Sequence, residues 1–153
     1  MIVKINGDIL TEDEKQQFLD TFGDITDGIF IESIMDCWPE FQQTKVEVNQ
    51  TRGIYGQDIK EVLVCPYVFY SFAINSSGMA SACFLDWERK LTIGDVRSHS
   101  VKELWLSEEM QSYRRLFLEG RRNEIAICKN CGQLRQGQPD DIDAYREELL
   151  LKI

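Results

Sequence analysis

The sequence has no apolar run of membrane-spanning length, and its first residues, Met1-Ile2-Val3-Lys4-Ile5-Asn6, lack the long apolar stretch of a secretory signal. Both absences point to a cytoplasmic protein with no membrane partner. Positive charge is also scarce: 17 lysines and arginines face 26 aspartates and glutamates, a formal net charge of −9. Phosphate-rich partners need a basic footprint, so nucleic acid is excluded as a partner. Histidine is nearly missing. His99 stands alone between Ser98 and Ser100, and a surface loop is the expected place for it, although an imidazole there could complete a Cys3His site. No internal repeat, no low-complexity stretch and no nucleophile–base pairing is visible. Asp140, Asp141 and Asp143 follow Pro139 and suit the start of a helix better than a general base.

What is present is 153 residues, enough for one domain with a core and an appended subdomain. Ile2 to Ile5 alternates as a short strand. Thr11-Glu12-Asp13-Glu14 is a capping box opening a helix that runs to about Phe22, with Phe18, Leu19 and Phe22 on one face and Gly23 as its stop. Gly28 to Ile34 gives a second apolar strand, so residues 1 to 34 read as a βαβ-like unit. Val46 and Val48 suggest a short strand, and Gly53 with Gly56 a loop. Tyr67 to Ile74 and Met79 to Trp87 read as a β-hairpin about the turn Asn75-Ser76-Ser77-Gly78. Ile93-Gly94-Asp95-Val96 is read as another turn. Ser100 and Ser107 can cap two helices, the second running from Glu108 to Glu119 with Met110, Tyr113, Leu116 and Phe117 as a core stripe. Arg114, Arg115, Arg121 and Arg122 are expected in solvent, complementing the end of that helix. An amphipathic helix from Asp141 to about Leu151 closes the chain.

Five cysteines in a reducing compartment are more consistent with metal binding than with a disulfide framework. Cys128-Lys129-Asn130-Cys131-Gly132 is a C-x2-C knuckle, whose tight turn points two sulfurs at one metal while backbone N–H groups aim at them. Cys65 precedes the first hairpin strand and Cys83 falls in the second, so folding of the hairpin carries the two toward each other across 17 residues. The predicted site is therefore Cys65, Cys83, Cys128 and Cys131. Cys37 is left over as a small buried hydrophobe expected to lie apart. On spacing alone, zinc and an iron–sulfur cluster are both open, because both accept four thiolates in tetrahedral directions.

Residues 62 to 133 resemble the SPASM/twitch auxiliary-cluster region of radical-SAM enzymes. The elements that carry the resemblance are Cys65, twelve residues, Gly78, four residues and Cys83; Asp86-Trp87; Ile93-Gly94-Asp95-Val96; Ser100-Val101-Lys102-Glu103-Leu104-Trp105; Arg114-Arg115 with Leu118-Glu119-Gly120; and Cys128-Lys129-Asn130-Cys131. Residues 1 to 40 more loosely resemble the last strand–helix–strand stretch of the family's partial barrel, ending near Cys37-Trp38-Pro39. The resemblance implies a [4Fe–4S] cluster on the four cysteines, serving electron transfer and local structure. Full SPASM domains carry further cysteines for a second cluster; four resemble the shorter twitch variant. The C-x3-C-x2-C triplet that binds the SAM-cleaving cluster does not occur in these residues. The resemblance thus implies SAM only through a missing N-terminal region, and the chain is either a portion of a longer enzyme or a stand-alone derivative, not catalytic by itself.

The expected fold is α+β: a hairpin and helices around a four-cysteine site over residues 61 to 135, a barrel-like βαβ remnant over 1 to 60, and a C-terminal helix over 136 to 153. The resemblance implies a peptide or small-molecule substrate. Unpaired edges of the remnant predict self-association or docking with the missing radical-SAM barrel. Zinc is the substitute cofactor, in a four-cysteine protein-interaction module, and a metal-free partner-binding protein is the remaining alternative.

Overall fold

The computed structural model describes residues 1–37, 48–137 and 139–153. The expected strand at Val46 and Val48 lies partly outside the described residues, as do Trp38 and Pro39. Val48 itself is in no strand.

Strand β1 (Ile2–Asn6) pairs in parallel with β2 (Gly28–Glu32), in register from Ile2↔Gly28 to Asn6↔Glu32. Helix α1 (Glu12–Phe22) makes the crossover. Its capping box forms as the sequence predicts: the Glu14 N–H donates to Thr11 Oγ1, and the Thr11 N–H donates to the Glu14 carboxylate at 2.8 Å. Gly23 ends α1 without turning left-handed, since its φ of −58° leads into a short 3-10 turn. Phe18 is the one residue of α1 that is fully buried.

The second sheet, in the order β3 (Ala73–Ile74), β4 (Met79–Ser81), β5 (Thr92–Asp95), is antiparallel throughout. The hairpin is real but much shorter than predicted. Its turn closes at Gly78, whose φ is +86°. Tyr67–Phe69 is a 3-10 turn instead of a strand, because Pro66 enters in helical geometry (φ −75°, ψ −22°) and the Tyr67 carbonyl accepts from the N–H groups of Tyr70 and Ser71. After Ser81 the return strand stops, because the loop amides of Lys90 and Leu91 donate to the buried Asp86 carboxylate at 2.9 and 2.8 Å, and the Ser81 hydroxyl donates to it at 2.6 Å. The predicted turn at Ile93-Gly94 is instead strand β5. Gly94 takes φ +143°, and a Cβ there would lie 2.5 Å from Leu104 Cδ2, so its bare backbone lets Leu104 close over the sheet.

Helices α2 (Val101–Trp105) and α3 (Glu108–Leu118) carry the Ser100 and Ser107 caps expected of them. Arg114 corrects its expectation of solvent: only 4% exposed, it donates to the carbonyls of Val68 and Trp105 and stacks 4.0 Å above the Trp105 ring. Val64, Val68, Ala80, Ala82, Leu91, Ile93, Leu104, Met110, Phe117 and Leu118 form the core under the antiparallel sheet. The C-terminal helix is shorter than predicted, a 3-10 turn at Asp143–Tyr145 followed by α6 (Arg146–Leu150). The Asp143 carboxylate accepts the N–H groups of Leu63 and Val64, both at 2.9 Å, and so anchors the segment that leads into Cys65. No helix among the described residues is long and apolar enough to cross a membrane.

Candidate metal centre

Cys65 sits between the Asp143-anchored segment and the 3-10 turn at Tyr67. That turn leaves the N–H groups of Tyr67 and Val68 free to donate to the Cys65 sulfur. Cys83 repeats the arrangement in the loop after β4. The Leu85 N–H lies 3.3 Å from its Sγ, and the Asp86 N–H adds to it. Both thiols thus rest in a cradle made by the second and third residues that follow them, the kind of N–H···S contact that stabilises a thiolate. The Asp86 carboxylate holds the Cys83 loop in that shape; the sequence marked Asp86-Trp87 only as part of the family resemblance and assigned the carboxylate no role.

The knuckle is built differently. Cys128 lies in α4 (Ala126–Lys129), and Cys131 precedes α5 (Gly132–Gln136), with the Cys131 N–H reaching the Cys128 carbonyl at 3.4 Å. Arg122, expected in solvent, donates to the same carbonyl at 2.7 Å and pins the turn. Gln136 ties α5 to the rest of the molecule. Its side chain accepts from the Asp36 N–H and donates to the Asn49 carbonyl, while its own carbonyl accepts from the Ile54 N–H at 2.8 Å and the Gln57 side chain at 3.1 Å.

These elements bring Cys65, Cys83, Cys128 and Cys131 to the wall of one cavity. Cys65 feels the charge of Cys83 and Cys131, Cys83 that of Cys131, and Cys128 that of all three others. Burial is the main cause that pushes the Cys65 thiol up to about 12 and the Cys83 thiol up to about 11, and the N–H cradles oppose it. The Cys128 thiol is likewise raised, first by burial and then by its three neighbours. Without a cation these groups stay protonated, and as thiolates they would need one nearby, so the donor chemistry fits a thiophilic metal core. Among the described residues, no three Cys, His, Asp or Glu side chains form a site tight enough for a single ion.

Cys37 does not lie apart. It lines the same cavity and senses Cys131, and burial raises its thiol. Sequence reasoning placed it elsewhere because nothing in the local pattern shows that Asp36 and Cys37 fold against Gly132. His99 is exposed, with Ser98 Oγ 3.0 Å from its Nδ1, and it is not a cavity residue. All five cysteines are free thiols.

Residues 65–132 match the family model of SPASM, an iron–sulfur cluster-binding domain. That stretch contains all four predicted cysteines and leaves Cys37 outside. Among curated proteins, the S-adenosyl-L-methionine-dependent 2-deoxy-scyllo-inosamine dehydrogenase of Niallia circulans is 28% identical over 57 residues, 37% of this chain and 23% of that enzyme. Among solved structures, BtrN in complex with AdoMet and 2-DOIA aligns with a TM-score of 0.49 and 19% identity, over 93% of this chain and 63% of BtrN. BtrN in an open conformation aligns at 0.46 and 19% identity, over 92% and 62%. The chain covers under a quarter of the curated relative and less than two thirds of the solved ones.

Proposed function

We propose that residues 65–132, which match the SPASM iron–sulfur cluster-binding model, act as such a domain of a radical-SAM oxidoreductase, with Cys65, Cys83, Cys128 and Cys131 holding one [4Fe–4S] cluster that serves electron transfer. The observation that carries this reading is the mutual approach of four thiols around one cavity, two of them in N–H cradles. With a thiolate on every iron, such a cluster supplies a one-electron couple and offers no open coordination position.

The chain's own residues do the rest. The amides of Tyr67, Val68, Leu85 and Asp86 offset thiolate charge and thereby raise the potential of whatever metal core is held. Arg122 and the Asp143 and Asp86 carboxylates fix the three backbone segments that present the sulfurs. Phe84, Leu85, Leu91, Phe117 and Leu134 wall the cavity with apolar surface and limit water. A single zinc ion with bonds of about 2.3 Å needs its sulfurs within roughly 3.8 Å of one another. A multi-iron core spreads its thiolates farther apart, so the separation of the four sulfurs in the loaded protein distinguishes the two.

The matched relative is named a dehydrogenase of 2-deoxy-scyllo-inosamine. It supports dehydrogenation of a small molecule, over peptide modification, as the reaction in which this domain takes part. The outer edges of β1 and β2 have no strand partner among the described residues, and Ile2 and Phe30 are exposed beside them. We assign those edges to strand addition, by neighbouring strands of a partial barrel or, in the isolated chain, by a second copy. Light scattering should then find a dimer for the full chain, and a strict monomer contradicts the assignment.

Anaerobic reconstitution tests the metal reading. The expected product is brown, with about four iron and four sulfide per chain. Bound zinc without sulfide, or a colourless chain, overturns it. The reconstituted chain alone should yield no 5′-deoxyadenosine from SAM under reduction, because no C-x3-C-x2-C triplet occurs in its sequence.

A further inference from the structure

We propose that Cys37 is a fifth thiol of the metal centre, placed to replace Cys131 as a ligand. The inference rests on the cluster reading above and adds a residue that lies outside the matched stretch 65–132. Five thiols wall a cavity whose cluster takes four.

The placement of Cys37 is not incidental. A Cβ on Gly132 would fall 1.7 Å from the Asp36 carbonyl oxygen and 3.2 Å from the Cys37 nitrogen, so the two backbones touch at the residue after Cys131. Only glycine permits that approach. The Asp36 N–H donates to Gln136 Oε1 at 2.9 Å, which clamps the segment to the far end of the same helix. Of the four predicted ligands, Cys131 is the one whose charge reaches Cys37.

Cys131 is also set apart from the other three ligands. It lines the thiol cavity and, on its other side, an open cleft of about 400 Å³ shared with Asp36, Arg122, Lys129 and Arg135. Cys65, Cys83 and Cys128 do not line that cleft. Cys131 is therefore reached from a cleft that the other three ligands do not share. The exchange itself is redox-neutral. The Cys37 thiol gives its proton to solvent and its thiolate forms the new S–Fe bond, while the departing Cys131 thiolate takes up a proton.

The test compares wild type, Cys131→Ala and the double variant Cys37→Ala/Cys131→Ala, each as the full chain reconstituted anaerobically. Cys131→Ala should keep most of the wild-type iron and sulfide, and the double variant should hold several-fold less. Native alkylation with iodoacetamide, read by mass spectrometry, gives an independent measure: Cys37 should be modified in the loaded wild type and protected in loaded Cys131→Ala. The proposal is overturned if Cys131→Ala loses as much iron as the double variant, if both retain it equally, or if Cys37 stays reactive in loaded Cys131→Ala. A wild type that takes up no iron and sulfide sinks the cluster reading itself, an outcome distinct from these three.

Discussion

The βαβ unit at Ile2–Glu32 and the cysteine-bearing region from Val62 to Gly137 meet their backbone hydrogen bonds in opposite ways. In the first, the amides bond to one another along a five-residue parallel ladder and a capped helix. In the second, strands are two to four residues long, and amides turn to side chains: Leu63 and Val64 to Asp143, Lys90 and Leu91 to Asp86, Leu85 to the Cys83 sulfur. Yet the irregular region holds nearly all of the buried apolar residues, against Phe18 alone in the regular one. Regularity and burial are thus separable. The regular unit keeps its shape by local pairing, whereas the irregular one depends on a few buried polar groups.

Single substitutions can break that contrast. The largest effect is expected at Gly132→Ala, where the new methyl must push Asp36 and Cys37 off the knuckle. A loss of about 4 kcal/mol should appear as a lower urea midpoint, and a loss under about 1 kcal/mol would show that the contact is easily relieved. Asp86→Ala comes next. It strands two amides in the interior, leaves the Ser81 hydroxyl only the Leu91 carbonyl, and should cost about 3 kcal/mol while lowering iron uptake, since the Cys83 loop loses its organiser. Arg114→Met leaves the Val68 and Trp105 carbonyls without their donor and should cost about 2 kcal/mol, with the slope of the urea transition unchanged.

The smallest effect sharpens the comparison instead. Thr11→Ala should cost about 1 kcal/mol through its cap alone, detected as faster amide exchange in α1 with the cysteine region unaltered. Acid should mimic it. The Thr11 backbone N–H holds the Glu14 carboxyl below its ordinary range, and the Ser100 N–H does the same for Glu103. A depressed pKa stabilises the fold above the unfolded-state value, and that contribution is lost as pH falls through the lowered one. Amide protection in α1 and α2, taken relative to the intrinsic exchange rate at each pH, should therefore fall together below the ordinary carboxylate range. A fall confined to one helix contradicts the shared mechanism.

The same contrast explains what could be read from the chain. β1, α1, β2 and the Ser100 and Ser107 caps were legible because each is fixed by neighbours within a few positions. The four cysteines were picked out by spacing and resemblance, and all four line one cavity, which Cys37 shares. The strand predicted at Tyr67 was lost to Pro66 and a sulfur acceptor, and the rest of the return strand to Asp86, whose partners depend on loop geometry more than on pattern. Arg114 was misread because its carbonyl partners lie 46 and 9 residues away. Cys37 was misplaced for the same reason: its neighbour Gly132 is nearly a hundred positions downstream.

Gln136 makes the cysteine cavity and the parallel sheet parts of one linkage. It sits on the helix that Cys131 begins, its carbonyl holds the Ile54 amide, and the Ile54 carbonyl in turn holds the Ser33 amide at 2.7 Å, one residue past the end of β2. If the proposed cluster draws on Cys131, any shift of α5 would reach the tip of β2 through these two hydrogen bonds. Occupancy of the cavity would then bear on a strand whose outer edge has no strand partner among the described residues. Slower amide exchange at Ser33 in the loaded protein would report that transmission, and an unchanged rate would mean the linkage has slack.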